Sequence, residues 1–253
     1  MRAYAIALCF LLAVSACGSD HSAGLVTVAV AANFGTKAAE IIREFEQEGR
    51  GEITLVSGST GKLFTQVVNG APFDVYLSAD EARAVALEEA GLGVPGTSFV
   101  YALGRLTLWG RDRQLVTTDG ASVLRAGQFR RLAIANPATA PYGVAAQEAL
   151  SALGLQDALE SRIVMGENVA QAYAMVATGN AELGLLSLAT VVSASGSAIG
   201  SRWDVPANLH APIRQRAVLL QHGAKSHAAQ EFLQYLRSPV ALNIIRRSGY
   251  DTE

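Results

Sequence analysis

Four short stretches carry the residue types and spacing to hold an anion: Ala32-Asn33, Ser59-Thr60, Pro141-Tyr142 and Asn168-Val169. Each follows a short apolar run and precedes an apolar pattern of helical period, so each reads as a strand-to-helix junction. The first N–H groups of a helix have no partner inside it, and the aligned peptide dipoles place about half a positive charge at that end. None of the eight residues is charged. Fixed N–H and hydroxyl donors without a carboxylate acceptor favour an anion that carries no proton at neutral pH. Sulfate, molybdate and tungstate meet that condition. Hydrogen phosphate wants an acceptor for its proton, and Glu167 is only a neighbour of the fourth junction. Hydrogen bonds to a charged group are worth about 1.5 to 3 kcal/mol each, so about six approach the roughly 12 kcal/mol of nanomolar binding. Dehydration of the ion and closure of the protein are subtracted from that sum. Ser, Thr and Asn are also ordinary helix caps worth about 1 kcal/mol with no ligand involved, so both roles are open at each junction taken singly.

The elements that must position these residues follow a repeated β-then-α cycle. Leu25 to Ala31 is a strand and Lys37 to Glu48 a helix whose Ala38, Ile41, Ile42 and Phe45 share a face. Ile53 to Val56, Leu63 to Val68, Val75 to Leu77 and Glu81 to Ala90 continue the cycle until Gly91 and Gly93 stop it. A second run comprises Gly104 to Trp109, Leu132 to Ala135, Val144 to Leu153, Arg162 to Met165, Ala170 to Thr178 and Leu183 to Leu186. Ile213 to Leu220 alternates as a strand, and Ala228 to Leu236 and Val240 to Arg247 close the chain as helices. Two such runs predict an α/β protein of two lobes, each a mainly parallel sheet flanked by helices, with the junctions facing one crevice beyond the strand ends. Taking Gly104 to Trp109 and Ile213 to Leu220 as the crossings assigns residues 25–103 plus 215–253 to lobe I and 104–214 to lobe II.

The N-terminus reads as an export leader. Arg2 precedes the apolar run Ala3 to Ala13, which is short for a membrane span, and Val14-Ser15-Ala16-Cys17 resembles a bacterial lipobox. Residues 1–17 are thus a signal peptide ending at Cys17, the expected lipid attachment site, and residues 18–24 are a small polar tether. The other cysteine, Cys9, lies in the leader, so the processed chain has no internal disulfide. A 17% charged composition with a net charge of −2 argues against disorder and against a basic nucleic-acid binder.

The segments VAVAANFGTKAAEII, SGSTGKLFTQVVNGAPFDVYLSAD, IANPATAPYGVAAQEAL and GENVAQAYAMVATGNAELGLL together resemble the periplasmic molybdate-binding proteins of ABC importers, a type II solute-binding family. The resemblance runs over nearly the whole chain after the leader. It implies molybdate or tungstate as ligand, no cofactor, an ABC permease as partner, a monomer, and a place in the periplasm or on the outer face of the cytoplasmic membrane. The ligand-binding residues it implies are Ala32, Asn33, Ser59, Thr60, Tyr142 and Val169. Many family members have serine at Asn33, alanine at Tyr142 and a ligand-touching tyrosine at Ser187. This chain resembles instead the branch with asparagine in the first loop and the APYG tetrad of Ala140 to Gly143.

Other motifs carry less. Gly91 to Gly96 fits G-x-G-x-x-G in letters, but it follows a helix and contains Pro95, so it reads as a loop. His21, His210, His222 and His227 lack metal spacing. Asp80 reads as a helix cap, Lys37 and Lys62 as solvated lysines, and Trp109 and Trp203 as core residues near the lobe boundaries. No nucleophile with a base and an orienting group stands out, which argues against an exported hydrolase. An anion sensor and a sulfate-binding protein remain as alternatives to molybdate capture.

Overall fold

The computed structural model describes residues 25–116, 119–192 and 200–253. The leader, Cys17, the tether and His21 lie outside the described residues.

The chain begins with β1 (Val26–Ala31), α1 (Gly35–Gln47), β2 (Ile53–Gly58), α2 (Thr60–Val68), β3 (Val75–Leu77), α3 (Glu81–Glu89) and β4 (Phe99–Gly104). It continues with β5 (Leu106–Gly110), α4 (Gly120–Ala126), β6 (Leu132–Ala135), α5 (Pro141–Ala152), α6 (Gln156–Leu159), β7 (Ile163–Gly166), α7 (Val169–Ala177), β8 (Leu183–Ser187) and α8 (Leu188–Val191). Then follow β9 (Ser201–Asp204), β10 (Ile213–Leu219), α9 (His227–Tyr235) and α10 (Pro239–Arg247).

Two five-stranded sheets result, ordered β2-β1-β3-β10-β4 and β7-β6-β8-β5-β9. Strands β1, β2 and β3 are mutually parallel, as are β6, β7 and β8, whereas β10 and β5 run antiparallel to their neighbours. Strand β1 is apolar and buried along nearly its whole length, as expected of a central strand covered on both faces. Helix α1 lays Ile41 and Phe45 against this sheet, with Phe232 of α9 edge-on to Phe45 at 5.5 Å. The opposite face is covered by Leu63 of α2 and Leu87 of α3. The C-terminal helices therefore return to the first lobe. Lobe II has its own core, centred on Leu108, Trp109, Ile134 and Leu185. Among the described residues no helix is long and apolar enough to cross a membrane.

Two readings are corrected here, and one strand is added. The crossings are narrower than the sequence suggested: Gly104 pairs with Ile213 and Leu103 with Arg214 inside the first sheet, so the chain leaves it at exposed Arg105 and returns through residues 205–212. Strand β4 had gone unread because its apolar run follows a glycine- and proline-rich loop without a helix between. Lys37 is buried, at 7% exposure, not solvated. Both tryptophans pack in the lobe II core, as read from the sequence. Trp109 stacks on Tyr173 at 5.0 Å, and the Trp203 ring fills the space beside Gly120.

Candidate oxyanion-binding site

Helices α1, α2, α5 and α7 start directly after β1, β2, β6 and β7, so their N-termini converge where the strand ends of the two sheets face each other. All six residues singled out in the sequence, Ala32, Asn33, Ser59, Thr60, Tyr142 and Val169, line one cavity there, together with Ala79, Ala140, Pro141 and Asn168. The space open to the centres of oxygen-sized atoms is about 10 Å³. Pockets for drug-sized ligands run to about 300 Å³ and more, so the occupant is limited to a few heavy atoms. Among the described residues no charged side chain lines the cavity.

Capping and ligand binding, both open from sequence, separate here residue by residue. Asn168 is a cap: its side chain accepts the Gln171 N–H at 3.0 Å. Ser59, at the N-cap of α2, makes no cap hydrogen bond, and its hydroxyl is buried without a partner. Ala140, at the N-cap of α5, has no side chain able to cap, and Phe34 before α1 makes none. Among the described residues, the N–H groups of Asn33, Thr60, Tyr142 and Val169 have no backbone acceptor. Thr60 Oγ1 accepts from Ala79 N–H at 3.3 Å, which leaves its own proton to donate. Four free N–H groups and two hydroxyls thus surround a small uncharged space.

Two assignments change. Ala32 shapes the wall but offers no donor, because its N–H is bound to Gly58 O at 2.9 Å. The Asn33 side chain is turned to the hinge, where Nδ2 donates to Gln215 Oε1 at 2.7 Å and to Tyr250 Oη at 3.1 Å. Asn33 therefore serves the cavity through its backbone.

This hinge network was not legible in the sequence. Gln215 Oε1 also accepts from the Tyr101 hydroxyl at 3.1 Å, Gln215 Nε2 faces Tyr142 Oη at 3.5 Å, and the Tyr250 hydroxyl donates to Asn33 O at 2.8 Å. The Tyr142 ring accordingly points at the crossing, into space that a side chain on Gly104 would fill. Burial pushes the phenols of Tyr101, Tyr142 and Tyr250 well above their ordinary range, with Ser187 and Gln215 partly offsetting it at Tyr142. They stay neutral across the physiological range, so the network does not titrate there.

The cleft is closed. Gly61 N–H donates across it to Thr139 O at 2.8 Å, and Lys62 Nζ meets Glu167 Oε2 at 2.8 Å. Lys62, read as solvated, is half-exposed but paired. Asp80 caps α3 through the Arg83 N–H at 2.8 Å and also pairs with the Arg83 guanidinium. The Gly91 to Gly96 segment is a loop following α3, as read from the sequence. Val94, Gly96 and Phe99 border a separate cavity of about 320 Å³ beside α9, where Arg237 covers the Phe99 ring at 3.7 Å. Among the described residues no three His, Cys, Asp or Glu side chains group to hold a metal.

Two α/β lobes, joined by two crossings and closed over a cavity of unpaired donors, define a solute-binding protein of the two-lobed extracytoplasmic class. Residues 26–251 match the family model described as bacterial extracellular solute-binding protein. The chain is 44% identical to the molybdate-binding protein ModA of Rhodobacter capsulatus, over 100% of this chain and 97% of that one. It is 26% identical to the Bacillus subtilis protein named putative ABC transporter substrate-binding lipoprotein YvgL, over 98% and 96% of the two chains. Among solved structures, the periplasmic molybdate-binding protein of Azotobacter vinelandii superposes with a TM-score of 0.88 at 37% identity, covering 90% of this chain and 99% of that one. The chain belongs to the bacterial extracellular solute-binding protein family, in the group of periplasmic molybdate-binding proteins that serve ABC importers. It is a solute-binding component of transport, not an enzyme.

Proposed function

We propose that this protein captures molybdate or tungstate in the periplasm, while held to a membrane by a lipid on Cys17, and hands the ion to its permease as a monomer without any cofactor. The observation that carries the reading is the Ser59 hydroxyl. It is buried and unpartnered in a cavity where helices from both lobes start and no charge is present. A buried hydroxyl left unsatisfied costs about 1 to 3 kcal/mol, which an incoming oxyanion would relieve. The uncharged donors suit a fully deprotonated dianion, and the names of the relatives narrow the dianion to molybdate. Sulfate is the second reading, because donors of this kind satisfy it equally. The lipobox and the lipoprotein name of the Bacillus relative support the anchor.

Calorimetry on residues 18–253 with molybdate, tungstate, sulfate and phosphate tests the ligand. Sub-micromolar binding of the first two alone is the expected result, and a preference for sulfate would overturn it. Saturating ligand should also raise the unfolding temperature by mass action on the folded state. For the anchor, Cys17→Ala should release the protein from the membrane fraction into the soluble periplasm. Failure of the parent chain to incorporate labelled palmitate, under conditions where a control lipoprotein does, would remove the lipid from the account.

A further inference from the structure

We propose that Gly61 is a positioning residue that sets how closely the two lobes approach, and so brings the donors of both lobes within range of one anion. This rests on the reading of the cavity as an oxyanion site. Gly61 is the second residue of α2, directly after Thr60, and its N–H donates across the cleft to Thr139 O at 2.8 Å. A Cβ placed on Gly61 would lie 3.1 Å from Thr139 Cα and 3.2 Å from Thr139 O. Both are backbone atoms of the opposite lobe. Thr139 cannot turn aside, because its N–H is bound to Asn136 O at 3.1 Å and its hydroxyl to Glu167 O at 3.2 Å. The strain of an added methyl group is therefore relieved by parting the lobes.

Nothing in the local backbone calls for glycine here. Gly61 is absent from the positions of positive φ, and within a helix glycine is less favourable than alanine. The residue is costly to its own helix and useful only across the cleft. Hydrogen bonds weaken steeply as they lengthen, so a gap of a few tenths of an ångström reaches every donor that spans the two lobes. The Lys62–Glu167 pair closes the same mouth, but both side chains are about half exposed, so it supplies little of the fixed distance.

The test compares Gly61→Ala and Gly61→Val with the parent chain of residues 18–253. Molybdate affinity by calorimetry should fall about tenfold for alanine and further for valine. The unfolding temperature of the ligand-free Gly61→Ala protein should hold or rise, a split that a merely structural role would not produce. Affinities within about twofold of the parent in both variants would overturn the proposal. Should the parent bind no oxyanion, the ligand reading fails by itself, and the wedge is then read without ligand. The tether-to-C-terminus chain has no cysteine, so spin labels on Glu89→Cys and Ser151→Cys report one distance between the lobes. The short-distance population should be lost in Gly61→Val, and unchanged distance distributions would overturn the wedge.

Discussion

Ala140→Asp is expected to abolish oxyanion binding while making the ligand-free protein more stable. Ala140 sits at the N-cap of α5 in extended conformation and contributes no cap, with Pro141 next in the helix. An aspartate there would accept the free Tyr142 N–H and stabilise the helix start by about 1 kcal/mol. The same carboxylate would stand in the cavity that Ala140 lines. Two unit charges about 4 Å apart repel by about 4 kcal/mol at an effective dielectric constant near 20, and a dianion feels about twice that. After relaxation the loss should still reach about a thousandfold or more. Calorimetry with thermal unfolding checks both halves, and retention of affinity within about tenfold would show that the anion lies elsewhere. Ala140→Asn adds the cap without the charge and should fall between the two.

Ser59→Ala separates a ligand donor from a cap by the sign of its effect on stability. A capping serine lost to alanine destabilises by about 1 kcal/mol. Here Ser59 is 1% exposed and its buried hydroxyl is bonded to nothing. Removing an unsatisfied buried group should leave the ligand-free protein as stable as before or more so. The complex, in contrast, loses a hydrogen bond to a charged group worth about 1.5 to 3 kcal/mol, or about ten- to a hundredfold in affinity. Loss of stability with unchanged affinity would return Ser59 to the role of an ordinary cap.

The site was legible to the degree that its groups are backbone groups. A helix start supplies free N–H donors whatever its side chains are, so Tyr142 and Val169 were found from strand-to-helix punctuation, and the family segments drew the four junctions together. The side chains were less legible. The Asn33 amide is taken by Gln215 and Tyr250, each about two hundred positions away. No local pattern in FVYALG, IRQRAVL or the final turn marks Tyr101, Gln215 and Tyr250 as neighbours. Lys37 was misread as solvated because solvation depends on what packs opposite, whereas Lys62 is exposed as read, and only its pairing with Glu167 of the other lobe went unseen.

Taken alone, the sequence determined the repeated βα cycle, the apolar strands and helix faces, and the absence of charge at four helix starts, because these depend on residues within a few positions of one another. The tertiary structure decided the rest: which of those starts are capped, that they meet around one small cavity, and that the mouth closes through Gly61 and Thr139. Those outcomes depend on distances between groups far apart in the chain. Only the packing of two sheets and the two strand crossings between them sets such distances.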